Sequence, residues 1–583
     1  MKRILWVVLS SLLAASPLLA AGGEEQPATV VQEEPRRAGE PEYGGTLTVT
    51  GELVQYPPTS WDPAEWIWTS MIWTEPFLQS LLLGDFVNNG PRGSNDWHYQ
   101  GYAGAPYDLV IGLLAESWTV PDDRTIILKI RKGVMWHEVP GVMASRELTA
   151  EDVAYTWNRN ISAEGAWDAM VGLIDSVTAT DTYTVEFKLT AWMPDWINKI
   201  GDADYATRVY PREVVEAGPG DWRNWRGIGT GPFLLDDFVE GSTVTYVRNP
   251  TYTVPYWDTA TINGKDYEIP FIDRMVHSLM TDISAQIAAL RTGKIDQHDN
   301  LTAEYVQSLR NTNPDMQFMS KPSPRKHYVG MRLDAEPFDD VRVRKAMAMA
   351  IDRQAIVDAV WGGEGEIYDF PYEASMPETL YTPLDKLPES TAEQFEYNPE
   401  RARELLAEAG YPDGFETTLN SYSNEPYGSL SEIVVAFWND IGVDVAIELL
   451  EGTSFDAMLT AKTYAPLTIS SKGYHIDPFQ VINLVWIDPF LHNTALFDLH
   501  PDYAELKDLF DRAYASIDMV ESMQMMKELS QKLLATVAFT QLPTPFVYHA
   551  VQPWVENYYG SQILFFSPAA AHLWINSDLK QGG

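Results

Sequence analysis

The chain has 583 residues, 45% of them hydrophobic and 21% charged, with a formal net charge of -41 and no cysteine. Its length suffices for two or three domain-sized cores, and its composition is that of a globular protein. So much negative charge repels phosphate backbones and anionic head groups, which excludes nucleic acid as the expected partner. The lack of cysteine excludes disulfides, thiolate metal sites, cysteine nucleophiles and a cysteine-borne lipid anchor.

Residues 1–21 carry the pattern of a cleaved export signal: Lys2 and Arg3, an apolar run over 4–13, and a small-residue end over 14–21. The apolar run is too short to stay in a bilayer as an anchor. The mature protein is therefore expected outside the cytoplasm, most simply in the periplasm, soluble and without a lipid. Residues 22–43 are polar, acidic and proline-containing, and read as a flexible leader.

An alternating strand is predicted over 46–50 behind Gly44 and Gly45. A tryptophan-dense stretch follows, with Trp61, Asp62, Pro63, Trp66 and Trp73. Trp66 and Trp73 are seven apart and would share one helix face, as a core face or as a stacking surface for a ligand. Residues 85–107 are rich in Gly, Asn and aromatics and read as an ordered insert. A strand is predicted over 125–131 after the turn Pro121-Asp122-Asp123. Thr149 opens a helix with Glu151 and Asp152 in its first turn and Val153 and Trp157 on one face. Two strands are predicted over 178–189, around Asp181-Thr182. Gly227, Gly229 and Gly231 form a Gly-x-Gly-x-Gly, but a strand and not a helix follows, which excludes a nucleotide fingerprint.

In the second half, Ile283, Ile287 and Leu290 mark an amphipathic helix. A helix capped by Asp339 or Asp340 is predicted to carry Val343, Ala350 and Val357 on one face, with its arginines as structural ion-pair partners. Asn398 at the cap, Pro399 in the first turn and Gly410 just past the end define another helix. Helices are also expected over 431–439 and 519–536, and strands crossing between lobes over 326–333 and 546–549.

The segments Leu114-Ala-Glu-Ser-Trp118, Leu128-Lys-Ile-Arg-Lys-Gly-Val-Met-Trp-His137 and Leu148-Thr-Ala-Glu-Asp-Val-Ala-Tyr-Thr-Trp157 resemble the signature of one family. It is the oligopeptide- and dipeptide-binding group (family 5) of the extracytoplasmic solute-binding proteins of ABC importers. Gly229-Thr-Gly-Pro-Phe233 with Val247-Arg-Asn-Pro-Thr-Tyr252, and Pro337-Phe-Asp-Asp-Val-Arg-Val-Arg-Lys-Ala346, are similar to further landmarks in the same order. The resemblance implies an α/β fold of the two-lobed periplasmic-binding-protein kind (class II type, cluster C). Lobe I would take residues 44–325 plus 549–583, with an extra subdomain over roughly 68–210, and lobe II would take 326–548. It implies a monomeric non-enzyme that captures a peptide between its lobes and delivers it to a membrane permease, with no cofactor and no metal.

The family's Gly-Trp-x-x-Asp, an aromatic wall with an ammonium-binding carboxylate, matches Gly473-Tyr474-His475-Ile476-Asp477. Asp477 is either that carboxylate or, with Pro478, a turn residue. Trp61, Asp62 and Trp66 lie at the family's Asp-Pro near the cleft. Glu425 and Tyr427 lie where dipeptide-binding relatives have an arginine ahead of Pro-Tyr for the peptide carboxylate, and Glu425 reverses that charge. Trp486 completes the implied ligand-binding set. With 20 Trp and 12% aromatic residues, an oligosaccharide gripped by stacking is the alternative ligand. A secreted glycoside hydrolase is the competing class, needing two carboxylates about 5–10 Å apart. Neither Gly-x-Ser-x-Gly nor His-Glu-x-x-His occurs in the chain.

Overall fold

The computed structural model describes residues 39–581 except 52, 53, 55, 68–71, 87–108, 167–170, 203–207, 255, 256, 375, 377, 474–476, 490, 491 and 559–566. The expected export signal, most of the leader, most of the insert over 85–107, and Tyr474 lie outside the described residues.

Two large sheets organise the chain. The first runs, in spatial order, Phe233–Val239, Thr243–Arg248, Arg274–Ser278, Thr46–Thr50, Gln297–Leu301, Thr544–Val551 and Gln317–Pro322. Thr46–Thr50 is parallel to both neighbours, and its alternation buries Leu47 and Val49. The second runs Val443–Leu450, Phe415–Tyr422, Leu467–Gly473, Arg325–Met331 and Phe539–Gln541. Its first three strands are parallel to one another, and the last two join antiparallel. The chain leaves the first sheet after Pro322, enters the second at Arg325, and returns between Gln541 and Thr544. These two short crossings join two α/β lobes. One face of the second sheet is packed by Val329, Val343, Met347, Leu430, Val434 and Trp438. The other face carries Tyr328, Phe370, Trp486 and Phe539, which belong to an apolar cluster continuous with the first lobe.

A four-stranded antiparallel sheet, in spatial order Ala115–Asp122, Thr125–Ile130, Thr184–Leu189 and Ile174–Asp181, packs on helix Ala150–Ile161. The Thr149 backbone N–H donates to the Asp152 carboxylate at 3.0 Å, closing the first turn. Val153 and Trp157 are both buried, and Trp157 meets Phe187 edge-on at 5.5 Å. The passage over 138–147 is itself ordered: Arg146–Glu147 pairs with Met135–Trp136, and Arg146 reaches Asp152 and Glu213 at 2.7 Å each.

The glycine motif has a packing reason. A Cβ on Gly229 would lie 2.2 Å from the Phe77 carbonyl oxygen, and one on Gly231 would lie 2.6 Å from that of Pro76. The N–H groups of Thr230 and Gly231 both donate to the Phe77 carbonyl. The motif lets two backbones touch.

The structure corrects three local expectations. Trp66 has φ 56 and ends a short 3-10 turn, Pro63–Glu65, so it shares no helix face with Trp73. The helix predicted through Val357 is two helices, Val341–Met349 and Arg353–Val360, because the Asp352 side chain accepts from the Ala355 N–H and starts a new one. Of the arginines expected in ion pairs, Arg342 is paired with Asp340 at 2.5 Å, whereas among the described residues Arg344 and Arg353 make no ion pair; both are buried and donate to backbone carbonyls, of Phe338, Asp339 and Thr536 and of Ala348 and Gln541.

Candidate functional site

The strand ends nearest the crossings bring polar groups together. Arg325–Met331 pairs antiparallel with Leu467–Gly473, which sets Arg325 opposite Gly473, Lys326 opposite Lys472 and His327 opposite Ser471. Alternation sends His327 to one face of the sheet and Lys326 and Tyr328 to the other. On the first face the His327 ring meets Trp361 at 5.6 Å and Tyr427 at 5.5 Å. The Tyr427 hydroxyl lies 2.6 Å from that of Ser471. Burial pushes His327 down to about 3, so it is neutral.

On the opposite face Lys326 donates to the carboxylates of Asp369 and Glu373, with 3.1 Å to the latter, and all three side chains are at most 3% exposed. Burial raises Asp369 to about 7; Lys326 opposes that rise, and Glu373 and Glu366 add to it. An aromatic wall continues this face. Tyr328 stacks on Phe370 at 5.8 Å and Phe370 on Trp486 at 5.1 Å, while Phe539 stands edge-on to Tyr328 and Trp486. Sequence reasoning missed Lys326, Asp369 and Glu373. The available signals were a lysine inside the crossing strand and the dense acidic and aromatic run Glu366-Ile-Tyr-Asp-Phe-Pro-Tyr-Glu373.

The two lobes also meet through side chains. Asp477 caps helix Pro478–Ile482 by accepting from the Phe479 N–H at 2.8 Å. Asp195 lies close enough to act on its carboxyl group electrostatically. Asp195 is paired with Lys199 at 2.8 Å and accepts from the Tyr514 hydroxyl at 3.1 Å. The Trp192 indole N–H donates to the Ser516 carbonyl at 2.9 Å. Trp192, Asp195 and Lys199 follow the strand Thr184–Leu189, whereas Asp477, Tyr514 and Ser516 lie between the strands Leu467–Gly473 and Phe539–Gln541 of the second sheet. Burial, followed by the neighbouring Asp195, pushes Asp477 well above the carboxylate range.

The remaining expected residues do not gather around one ligand. Asp62 is buried and held bidentately by Arg159 at 2.5 and 2.7 Å. Trp61 is buried against Phe77 and Phe238. Trp66 is buried too, and its indole N–H donates to the Asn160 carbonyl at 2.9 Å. Both are core residues. Trp486 is buried beneath Phe370 and Phe539, so it offers no open stacking face. Glu425 is exposed and accepts from Ser429 at 2.8 Å, and Tyr427 is buried on the His327 face. Gly473 ends its strand opposite Arg325. Among the described residues no group of His, Cys, Asp and Glu is arranged to hold a metal ion, and no helix is long and apolar enough to cross a membrane.

The model of a known family, described as bacterial extracellular solute-binding proteins, family 5 Middle, matches residues 110–489. The chain is 28% identical to heme-binding protein A of Haemophilus influenzae over 57% of this chain and 60% of that protein. It is 27% identical to di/tripeptide-binding protein 3 of Pseudomonas aeruginosa over 71% of this chain and 80% of that protein. Its fold is similar to that of the ABC transporter-associated periplasmic binding protein DppA of Helicobacter pylori in complex with peptide STSA. The TM-score there is 0.66 with 19% identity, over 92% of this chain and 99% of that one.

Proposed function

Because the chain belongs to the bacterial extracellular solute-binding proteins of family 5, we propose that it captures a short peptide between its lobes and hands it to the transmembrane subunits of an ABC importer. One observation supports capture by closure above the others. Two lobes joined by two short crossings also touch through Trp192 with Ser516 and through Asp195 with Tyr514 and Asp477. Contacts of that kind form when lobes close and break when they open, and a ligand held between them shifts the population toward closure.

The tryptophans that would serve a sugar as stacking platforms, Trp61, Trp66, Trp73 and Trp486, are buried in packing. That supports a peptide over an oligosaccharide. The proposal includes export by the N-terminal segment and action as a monomer in the periplasm, without catalysis.

Thermal unfolding of the purified protein with peptide and oligosaccharide libraries tests the reading. A ligand that binds only the folded state raises Tm in proportion to the logarithm of its concentration over Kd. Peptides are expected to raise Tm and to be recovered intact. A rise with oligosaccharides only, or cleavage of either class, would sink the proposal.

A further inference from the structure

Gln541 ends the strand Phe539–Gln541, next to the return crossing, and lies directly opposite Tyr328 in the register. Phe539, two residues earlier, touches Tyr328, so Gln541 shares the face that carries Tyr328 and Lys326. Its side chain is 3% exposed, yet neither its amide oxygen nor its amide nitrogen has a hydrogen-bond partner. The Trp486 indole N–H on the same face has none either. Folded proteins satisfy nearly all buried polar groups, because each one left unmatched carries a desolvation penalty. A buried primary amide set beside a buried lysine and two carboxylates calls for a polar guest.

The charge on this face indicates which guest. Lys326 touches both Asp369 and Glu373, and Glu366 lies close enough to act on Asp369 electrostatically. Burial and these acids hold Asp369 near 7 against the pull of Lys326, so the cluster gains from a further positive charge. Glu366 also pairs with Thr544 of the return strand, which fixes this acidic segment at the junction of the lobes. We infer that the face between Lys326 and Gln541 is a cation subsite, in which Asp369 and Glu373 hold the ammonium group of a ligand and the Gln541 amide oxygen accepts one of its hydrogens. The inference rests on the capture of a small ligand between lobes and names the group that ligand must carry.

The test uses the full chain and three probes, trialanine, N-acetyl-trialanine and putrescine, read by Tm and by titration calorimetry. Trialanine is expected to raise Tm more than its acetylated form. Gln541→Leu is expected to leave the ligand-free Tm equal or higher while weakening the free amines about tenfold, the weight of one hydrogen bond to a charged group. Asp369→Asn, chosen to keep the side-chain volume, is expected to remove the preference for the free amine. A fall in ligand-free Tm with Gln541→Leu overturns the inference, since it would mean the amide is structural. Equal shifts from trialanine and its acetylated form overturn the subsite while leaving peptide capture standing. A shift from putrescine with none from either peptide keeps the subsite and removes the peptide reading. No shift from any probe overturns the subsite.

Discussion

Asp195 is paired with Lys199 at 2.8 Å and lies close enough to Asp477 for its charge to raise the pKa of that buried carboxyl group. Burial, and after it the charge of Asp195, lift Asp477 well above its ordinary value. A folded-state pKa above the unfolded one stabilises most at low pH, and the gain is lost as pH rises through the folded value. Asp477→Asn removes the titrating group and keeps the oxygen that accepts from Phe479. Its Tm is expected to vary less with pH than that of the natural protein between about pH 4 and 8. Identical slopes in the two thermal profiles would count against a raised Asp477.

Buried histidine acts with the opposite sign. His277 is fully buried against Trp73 and Tyr246, neither ring nitrogen has a partner, and burial pushes it down to about 3. Its folded pKa is below the unfolded one, so its contribution is lost as pH falls below about 6.5. His277→Phe is expected to be more stable than the natural protein by about 2 kcal/mol at pH 5, and by less at pH 8. Urea midpoints at the two pH values decide it.

Removing Asp62 leaves Arg159 without its bidentate partner in a largely buried place. Asp62→Ala is expected to cost about 3 kcal/mol, as for other broken buried pairs, and to leave peptide affinity unchanged. A variant that folds as well as the natural protein but binds peptide weakly would return Asp62 to the ligand site.

Gly229 admits no side chain, since its Cβ would meet the Phe77 carbonyl oxygen at 2.2 Å. Gly229→Ala is expected to lose about 2 kcal/mol or more in urea unfolding, by overpacking and by moving the 76–77 backbone. Gly220→Ala, with nothing within 4 Å of the added carbon, serves as the control and is expected to stay within about 0.5 kcal/mol.

Much of the fold was legible because its signals are local. The caps at Asp340 and Asn398 and the alternation of Thr46–Thr50 each depend on a few neighbouring residues. The two-lobed fold followed from landmarks in order, and the match over 110–489 agrees with it. Local reasoning failed at Trp66, where a left-handed residue ends a turn, and at Asp352, where a second cap divides a helix that heptad spacing had made continuous.

The sequence by itself determined the elements, the family and the two-lobed plan, because caps, periodicity and turn residues act over a few positions. Only the tertiary structure decided which carboxylates were already matched. Asp62 is held by Arg159, 97 residues away, Asp477 comes under the charge of Asp195 from a distant segment, and Lys326 meets Asp369 across 43 residues. Such pairings arise from packing between distant segments, and no spacing along the chain encodes them. The same is true of Gln541, whose unmatched amide becomes visible only when its strand is set against Tyr328.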